Sequence, residues 1–479
     1  MEIKLSIGSN IKWVMLAQVI RFSAQFLSIF FLSKILSPDD FGVMAAVMTV
    51  VNFSNLIRDF GSSSAIIRAP SLDNKKISLI FTINIIMGFL LTAIVYLSAE
   101  EVGRFYKSPG IVSLLKLIAI IFLVNNIGAV HQALLERKNE FKKVVLVEAF
   151  ATVSSLLIAV VGAINGFGVT ALAFQILVYA GLTTVIFSRI SGWKFSFSSN
   201  FKDGEDIFKF SGWLFSFNIV NYFSRNYDSI IIGKKLTLLE LGSYGMSNRI
   251  ISIPLQGITL SINRALLPIF SQLSGDNATL RKNYLEIISG IAFFSGPIMA
   301  LICLTGEPVV KLVLSDKWKL VPHILNYMCA IAFIQTLANT AGGILMAKGQ
   351  TKILFYLGVF GALLFIAAFT IGINFGLDGF LWSYLVAQLI NSTIAFSVVM
   401  KEIGGSLRSL LSEIFETCIT VVSSIFLYKY LSVWLEFDKI TNQFILAALE
   451  SILFLFTYIS LYFIIFRKVF LSRLNSILG

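Results

Sequence analysis

Long apolar runs separated by short polar stretches recur along the whole chain. Fourteen of these runs are long enough to cross about 30 Å of hydrocarbon, which takes roughly 20 helical residues. Hydrocarbon offers no partner to backbone N–H and C=O groups, so each run is predicted to be an α-helix. The approximate spans are 11–36, 41–67, 77–99, 111–135, 143–164, 168–188, 210–233, 241–268, 284–306, 321–346, 352–374, 377–400, 412–434 and 442–466. The pattern predicts an all-α integral membrane protein with about 14 transmembrane helices.

Polar residues interrupt two of these runs in the same way. Residues 13–42 and 213–242 align without a gap, and Trp13, Lys34, Leu36 and Gly42 recur as Trp213, Lys234, Leu236 and Gly242. Two polar sets also match in chemistry, namely Gln18, Arg21, Gln25 and Ser28 in the first copy and Asn218, Asn221, Arg225 and Asp228 in the second. Each set steps by three, four and three residues, which places it on one face of a helix. Matched polar faces in a duplicated membrane protein predict a transporter that holds a polar substrate inside the bilayer.

The position of the repeat predicts the domain organisation. The second copy begins six spans after the first, so both copies have the same orientation in the membrane. We therefore expect two pseudo-symmetric six-helix lobes, 1–200 and 201–400, around a central cavity, and an appended C-terminal helix pair, 401–479. Charged residues interleave with apolar ones at 191–209 and 407–415, which predicts two short helices on the membrane surface.

Composition and charge narrow the class of protein. Apolar residues make up 57% of the chain and charged residues only 13%, which excludes a water-soluble fold. Successive loops alternate between the two sides of the membrane. The side that holds both termini carries 22 of the 38 Lys and Arg residues, the opposite side carries 10, and the remaining six lie within the spans. Basic residues are retained in the cytoplasm, so both termini are predicted to be cytoplasmic. The same bias explains the net charge of +12, and no nucleic-acid partner is expected.

Arginines within the spans are the candidate binding groups: Arg21, Arg58, Arg225, Arg249 and Arg264. Each would cost about 2.5–3.5 kcal/mol at a helix centre facing lipid, so we expect them to face an aqueous cavity. Guanidinium groups suit phosphate or pyrophosphate oxygens, and Gln18, Gln25, Asn218 and Asn221 add polar contacts. Asp59 and Asp228 are the candidates for ion coupling. Alternatively, these carboxylates only neutralise arginines, as Asp228 would with Arg225 or Arg58, and Asp59 with Arg249.

Other polar groups predict no catalytic chemistry. The three cysteines lie within apolar spans, and with two histidines the chain has neither a metal-ligand pattern nor a nucleophile with a base. The chain is therefore not expected to be an enzyme, and it needs no cofactor or metal. Lys116 is expected to extend toward the outer surface, and Glu148 and Glu286 are expected to be solvated near cytoplasmic helix ends. Glu450, deep in the last span, is expected to mark a lipid or partner contact.

Two stretches of the chain resemble a known family. They comprise Leu36-Ser-Pro-Asp-Asp-Phe-Gly42 with Asp59-Phe-Gly61 and Ala65-Ile-Ile-Arg68, and Ser224-Arg-Asn-Tyr-Asp228 with Ile232-Gly-Lys234, Leu241-Gly242, Tyr244, Pro254-Leu-Gln256 and Leu267-Pro-Ile-Phe-Ser271. The chain thereby resembles bacterial polysaccharide transporters of the colanic-acid and teichuronic-acid exporter type, which are Wzx-like oligosaccharide flippases. Their superfamily also contains multidrug and toxin extruders and the lipid II flippase.

The resemblance implies a function and partners. It implies that undecaprenyl-diphosphate-linked oligosaccharide is flipped across the bacterial cytoplasmic (inner) membrane for surface polysaccharide synthesis, such as that of lipopolysaccharide O-antigen. Arginines would hold the pyrophosphate, and a proton or sodium gradient or product removal would bias alternating access. Expected partners are this substrate, membrane lipids, and a polysaccharide polymerase with its assembly proteins. Two alternatives remain open: a drug/cation antiporter, and a non-transporting scaffold whose polar residues only join helices.

Overall fold

The computed structural model describes residues 2–58, 66, 74–194, 222, 226–273, 275–437, 440 and 442–466. For residues 2–12, 14, 17, 54–58 and 256–269 it describes the backbone only. The chain divides into two compact units, Met1–Gly242 and Ser243–Gly479. The division into 1–200, 201–400 and 401–479 stays a prediction.

The described part of the first unit is mainly helical. Its helices are α1 (Glu2–Ile35), α2 (Pro38–Arg58), α3 (Asn74–Phe105), α4 (Pro109–Ile118), α5 (Ile121–Arg137), α6 (Phe141–Ile164), α7 (Thr170–Ile190) and α8 (226–235). Helix α9 (Leu238–Gln272) begins in this unit and continues into the second. Helices α4 and α5 together form one predicted span of 29 residues, Pro109–Arg137.

Small side chains allow close packing in the first unit, where α1 packs on α6, α6 on α7, and α7 on α5. Gly128 of α5 faces Thr184 of α7, and a methyl group added to Gly128 would lie 2.5 Å from the Thr184 hydroxyl oxygen. That hydroxyl donates a hydrogen bond to the Val124 carbonyl at 2.9 Å. Close backbone approach and such interhelical hydrogen bonds hold helices together in lipid, where burial of apolar surface gives little driving force.

The second unit continues with helices of membrane-spanning length. They are α10 (Asn277–Leu304), the short α11 (Gly306–Val313), α12 (Leu320–Ala347), α13 (Thr351–Gly372), α14 (Gly376–Glu402), α15 (Leu407–Trp434) and α16 (Gln443–Ile465). Its core centres on Tyr284 of α10, which is fully buried and hydrogen-bonded to Thr340 of α12 at 3.1 Å. Leu410 and Ile414 of α15 join the same core. The last two helices are thus packed onto the rest of the second unit.

Most described helix ends lie within about four residues of the predicted spans. The exceptions are the starts of α1, α10 and α15, which lie nine, seven and five residues before their spans, and the end of α3, which lies six residues after its span. Nine helical segments of the described part are long and apolar enough to cross a membrane. Two of them contain two helices each, namely Pro109–Arg137 with α4 and α5 and Thr351–Glu402 with α13 and α14. The surface helix predicted at 407–415 was wrong, because α15 runs without a break from Leu407 to Trp434. Of the surface helix predicted at 191–209, only residues 191–194 lie in the described part, and they are not helical. Helix α11 was not predicted, since eight residues are too few to register as a span.

Candidate functional site

The two copies of the repeat form equivalent helix corners. At the start of α2, Ser37 donates from its backbone N–H (2.9 Å) and hydroxyl (2.8 Å) to the Asp40 carboxylate, and Asp40 N–H donates back to the Ser37 hydroxyl. At the start of α9, Thr237 makes the same bonds to Glu240, at 2.8 and 2.7 Å. These reciprocal bonds satisfy N–H groups that a helix start leaves without partners. Both corners therefore position the preceding and following helices in the same way.

The polar face predicted on α1 lies partly at the surface of the first unit. Gln18 and Gln25 are half-buried, and the Arg21 side chain between them is 55% exposed. Ser28, one turn further, accepts a hydrogen bond from Gln175 of α7 at 3.4 Å. The face is thus shared between a surface and the packed interior.

Arg21 forms an ion pair that the sequence did not predict. Its Nη2 donates to Oε2 of Glu148 on α6 at 2.7 Å, and Glu148 is only 13% exposed. The expectation that Glu148 would be solvated at a helix end was wrong, because its carboxylate is paired with Arg21 of α1, which packs against α6. Glu286, by contrast, is 65% exposed, as expected. The pair neutralises the one predicted binding arginine of the first copy whose side chain the structure describes.

A cavity of 360 Å³ with polar groups in its wall lies beside this pair within the first unit, between α2, α5 and α7, and Glu148 of α6 completes its wall. Its wall includes the carboxylates of Glu136 and Glu148 and the side chains of Gln132 and Tyr179. Gln132 donates to Glu136 at 2.9 Å. Polar partners and this volume give room for about ten water molecules. Two carboxylates thus line a cavity that can hold water, and one of them is the partner of Arg21.

A second cavity in the same unit has the opposite character. It measures 350 Å³ and is lined mainly by apolar side chains, among them Phe53 and Phe105. Tyr222 also lines it and donates a hydrogen bond to the Thr49 carbonyl. Tyr106, at the end of α3, is buried against it, and burial raises the pKa of this tyrosine to about 12. This cavity suits a hydrocarbon group better than an ion.

The remaining predicted residues are only partly described. Asp228 is half-buried, and its carboxylate accepts the N–H of Ser229 at 2.6 Å. Arg249 on α9 is exposed. The following lie outside the described side chains: Arg58, Asp59, Asn218, Asn221, Arg225 and Arg264. The structure therefore brings together Gln18, Arg21 and Gln25 on α1, and the wider set stays a prediction.

Other polar groups have structural partners. Lys116 pairs with Glu100 at 2.9 Å near the ends of α4 and α3, in keeping with a structural role. His131 is buried and bonded to the Ser191 hydroxyl at 2.8 Å. Glu450 lies beside Tyr428 of α15, and its expected lipid or partner contact stays a prediction. Among the described residues, no three His, Cys, Asp or Glu side chains are grouped closely enough to hold a metal ion.

The sequence did not predict that Glu136 and Glu148 line a cavity. Glu136 and Glu148 lie near helix ends on either side of a short turn, and the sequence indicated only solvated charges there. The one available signal was that Glu148 is the eighth residue of its helix, more than two turns from the start. That depth made full solvation costly, and a paired arginine relieves the cost.

Comparisons with known proteins support the fold and the resemblance. A family model described as "Polysaccharide biosynthesis protein" matches residues 31–323. The lipopolysaccharide biosynthesis protein WzxC of Escherichia coli (strain K12) is 25% identical over 83% of this chain and 82% of its own length. The teichuronic acid biosynthesis protein TuaB of Bacillus subtilis (strain 168) is 26% identical over 71% of each chain. The resemblance predicted from the two sequence stretches is confirmed.

Solved structures share the architecture. The lipid II flippase MurJ in an inward closed conformation gives a TM-score of 0.74 at 16% identity, over 95% of this chain and 99% of its own. An inward-facing multidrug resistance MATE family transporter of the MOP superfamily gives 0.65 at 14% identity, over 81% and 94%. At these identities the likeness concerns the fold alone. The prediction of an all-α, multi-pass membrane protein with a transporter fold is confirmed.

Proposed function

Since the chain belongs to this family of polysaccharide biosynthesis proteins, we propose that it exports a lipid-linked oligosaccharide across the bacterial cytoplasmic membrane. The family match over residues 31–323 carries the proposal. The names of three relatives support it, because they refer to lipopolysaccharide, to teichuronic acid and to succinoglycan transport. In this proposal the carrier lipid is undecaprenyl diphosphate, the sugars move from the cytoplasmic to the outer leaflet, and both termini are cytoplasmic.

The proposed transport step is translocation without bond cleavage, so the protein acts as a carrier and not as an enzyme. The substrate's diphosphate needs cationic partners at membrane depth, and an arginine can bind two of its oxygens at once. Arg21 and Arg249 are the described side chains that fit this role, and Arg58, Arg225 and Arg264 complete the proposed set. Gln18, Gln25, Asn218 and Asn221 would bind sugar hydroxyls or phosphate oxygens.

Alternating access then moves the polar head group while the polyprenyl chain stays in lipid. Binding alone cannot produce net export, so product removal or an ion gradient must bias the cycle. Asp59 and Asp228 are the proposed ion-coupling residues. A polysaccharide polymerase and assembly proteins on the outer side would remove the product.

A drug/cation antiporter is the second candidate. It is supported by a 24% identity to the multidrug export protein MepA of Staphylococcus haemolyticus (strain JCSC1435), over 38% of this chain. The polysaccharide relatives match over roughly twice that share of the chain. The excess of arginines over carboxylates among the predicted cavity residues also disfavours a cationic drug.

Reconstitution into lipid vesicles tests the proposal. The purified chain is incorporated with a fluorescent undecaprenyl-diphosphate oligosaccharide, and the fraction of label accessible to an external quencher is followed with time. We expect protein-dependent flipping that an imposed proton or sodium gradient changes. Empty vesicles and vesicles loaded with a cationic dye serve as comparisons. Dye efflux without oligosaccharide flipping would favour the antiporter.

A further inference from the structure

The apolar cavity of the first unit lies between α2, the end of α3 and the segment that contains α8. Its wall includes Val50 and Phe53 of α2, Phe105 and Tyr106 of α3, and Tyr222 and Ile230. At 350 Å³ it has room for about ten methylene groups, since a methylene group and a water molecule have similar volumes. A short stretch of hydrocarbon chain, on the order of two isoprenyl units, therefore fits.

Contacts between these segments hold the cavity in shape. The rings of Phe53 and Tyr222 pack with their centres 5.5 Å apart. A methyl group added to Gly233 of α8 would lie 2.6 Å from Cε1 of the buried Tyr106 ring, so a larger residue would push the two helices apart. The wall is thus built from packed segments and not from loose surface side chains.

Two hydroxyl groups of this wall are bonded to backbone carbonyls. Tyr222 donates to the carbonyl of Thr49, and the Thr49 hydroxyl donates to the carbonyl of Ala45 at 3.0 Å. A water molecule in a cavity needs two to four polar partners, and these committed groups provide few of them. Because an empty space of this size destabilises a protein, we expect a hydrocarbon chain to fill it.

A cation lies beside the apolar wall. The ammonium nitrogen of Lys234 lies 4.5 Å from the centre of the Phe105 ring, and both side chains are exposed. Glu101 at the same end pairs with Arg104 of its own helix, which neutralises an anion near this lysine. Lys34, the equivalent of Lys234 in the first copy of the repeat, instead lies over Phe30 of its own helix at 3.9 Å. The cavity therefore joins an apolar space to an exposed positive charge.

The charge and the apolar space lie at different depths. The predicted spans end at residues 99 and 233, so Phe105 and Lys234 follow the hydrocarbon-crossing runs and lie at headgroup level. Phe53, by contrast, lies about four turns from the start of α2, within its apolar run. The cavity thus extends from the headgroup level into the hydrocarbon region, which is the arrangement that an amphiphile with an anionic head requires.

We propose that this cavity binds an isoprenyl phosphate, with the isoprenyl units next to the phosphate in the apolar space and a phosphate oxygen on Lys234. This inference rests on the proposed function, which supplies both the carrier lipid and the orientation with cytoplasmic termini. In that orientation Lys234 is on the outer side, so the site holds the carrier lipid after translocation. A lysine binds phosphate as a compact point charge on a flexible stem, which suits a product that must leave.

Photolabelling locates the site. The full-length protein in phosphatidylcholine nanodiscs is irradiated with a farnesyl diphosphate that carries a diazirine in its isoprenyl chain, and labelled peptides are mapped by mass spectrometry. We expect labelling of the peptides that contain Val50 and Phe53 or Tyr222. Unlabelled undecaprenyl diphosphate should compete with the probe. Inorganic diphosphate and phosphatidylglycerol at the same concentration should not.

Two variants separate the head group from the chain. Lys234→Gln should weaken binding of the farnesyl diphosphate probe about tenfold, since one charge-assisted hydrogen bond is lost, and should leave binding of uncharged farnesol unchanged. Val50→Trp should weaken binding of both ligands, because the larger side chain fills the cavity.

Each variant has a matched control. Lys34→Gln removes the equivalent lysine of the first copy, which lies over Phe30, and should keep the wild-type affinity. Val43 is half-buried on the same face of α2, two turns before Val50, and lies outside the described wall, so Val43→Trp should also bind normally. Folding of each variant is checked by size-exclusion chromatography and a thermal melt.

The outcomes distinguish this inference from the proposed function. Labelling outside the wall, unchanged affinity in correctly folded Lys234→Gln and Val50→Trp, or full competition by inorganic diphosphate would each overturn the inference. Equal competition by phosphatidylglycerol would identify a general acyl-chain cavity and would overturn it too. In all these cases the exporter proposal stands if wild type flips the labelled oligosaccharide in vesicles. Absence of flipping by folded wild type would contradict the proposed function, whatever the probe binds.

Discussion

Gly42 and Gly242, which are 200 residues apart, make the same backbone contact in opposite directions. A methyl group added to Gly42 would lie 1.8 Å from the carbonyl oxygen of Leu238, and one added to Gly242 would lie 1.9 Å from that of Pro38. Leu238 is the counterpart of Pro38 in the repeat. A two-fold axis between two equivalent segments produces such reciprocal contacts. The two copies of the repeat therefore contact each other through equivalent residues, and the division into lobes 1–200 and 201–400 stays a prediction.

Alanine at either glycine should therefore separate the two corners. The methyl carbon cannot fit 1.8–1.9 Å from a backbone oxygen, so the backbone must move. Overpacking of this kind costs about 1–3 kcal/mol of unfolding free energy. Gly42→Ala and Gly242→Ala should lower the melting temperature of the purified protein by similar amounts. Gly181→Ala in α7 is the control, because no atom lies within 4 Å of its added methyl group. Equal melting temperatures for all three variants would refute the tight contact.

Cysteines at Gln18 and Gln25 should react with a membrane-impermeant thiol reagent from at least one side of the membrane. Both side chains are half-buried on the α1 face that carries exposed Arg21. Leu32→Cys on the same helix is the control and should stay unreactive, because Leu32 is fully buried. The same labelling is expected for cysteines at Asn218, Asn221, Arg225 and Asp228. Protection of Gln18→Cys and Gln25→Cys under all conditions would argue against an aqueous path along this face.

Arg249→Lys should impair oligosaccharide flipping although it conserves the charge. An ammonium cannot reproduce the two parallel N–H donors of a guanidinium, and loss of one charge-assisted hydrogen bond corresponds to roughly tenfold or more. Insertion and expression should be unchanged. Lys311→Arg on α11 is the control and should flip normally, because the Lys311 side chain is exposed and pairs with Glu307 at 2.8 Å. A wild-type flipping rate in Arg249→Lys would mean that this position needs only a positive charge and not a guanidinium group.

The double change Arg225→Asn with Asp228→Asn distinguishes substrate binding from structural pairing. If Arg225 binds the diphosphate, the double variant stays inactive because the phosphate has lost its donor. If the two residues only neutralise each other, no unpaired charge remains and flipping recovers. We expect the double variant to be inactive in the vesicle assay. The single variant Asp228→Asn is the control that measures the effect of losing the carboxylate alone.

Asp276 should make stability depend on pH at the start of α10. Its carboxylate accepts hydrogen bonds from the Thr279 hydroxyl and from the backbone N–H groups of Thr279 and Ala278, and these bonds lower its pKa. A lowered folded-state pKa stabilises the protein above the ordinary value of about 3.9, and the contribution is lost as pH falls through the folded-state value. The melting-temperature difference between wild type and Asp276→Asn should therefore shrink on acidification from pH 6 to pH 3. A constant difference would mean that this carboxylate does not contribute through its charge.

The sequence by itself determined where the chain crosses the membrane. A predicted run such as 377–400 lies within a helix, Gly376–Glu402, because apolarity and length decide membrane insertion locally. The two helix corners were likewise readable, since a capping pair needs only residues three apart, as in Ser37 with Asp40 and Thr237 with Glu240. The face shared by Gln18, Arg21 and Gln25 follows from helical periodicity in the same way.

Only the tertiary structure decided what that face meets. Arg21 and Glu148 are separated by 127 residues, and their contact depends on the depth and rotation of α1 against α6. Periodicity along one helix specifies neither the depth nor the rotation of that helix against another. The sequence therefore predicted Glu148 to be a solvated charge near a helix end. The cavity lined by α2, α5, α6 and α7 depends equally on how four separate helices pack. Local sequence therefore predicted the helices and their polar faces, whereas packing between distant segments determined which carboxylate neutralises the arginine.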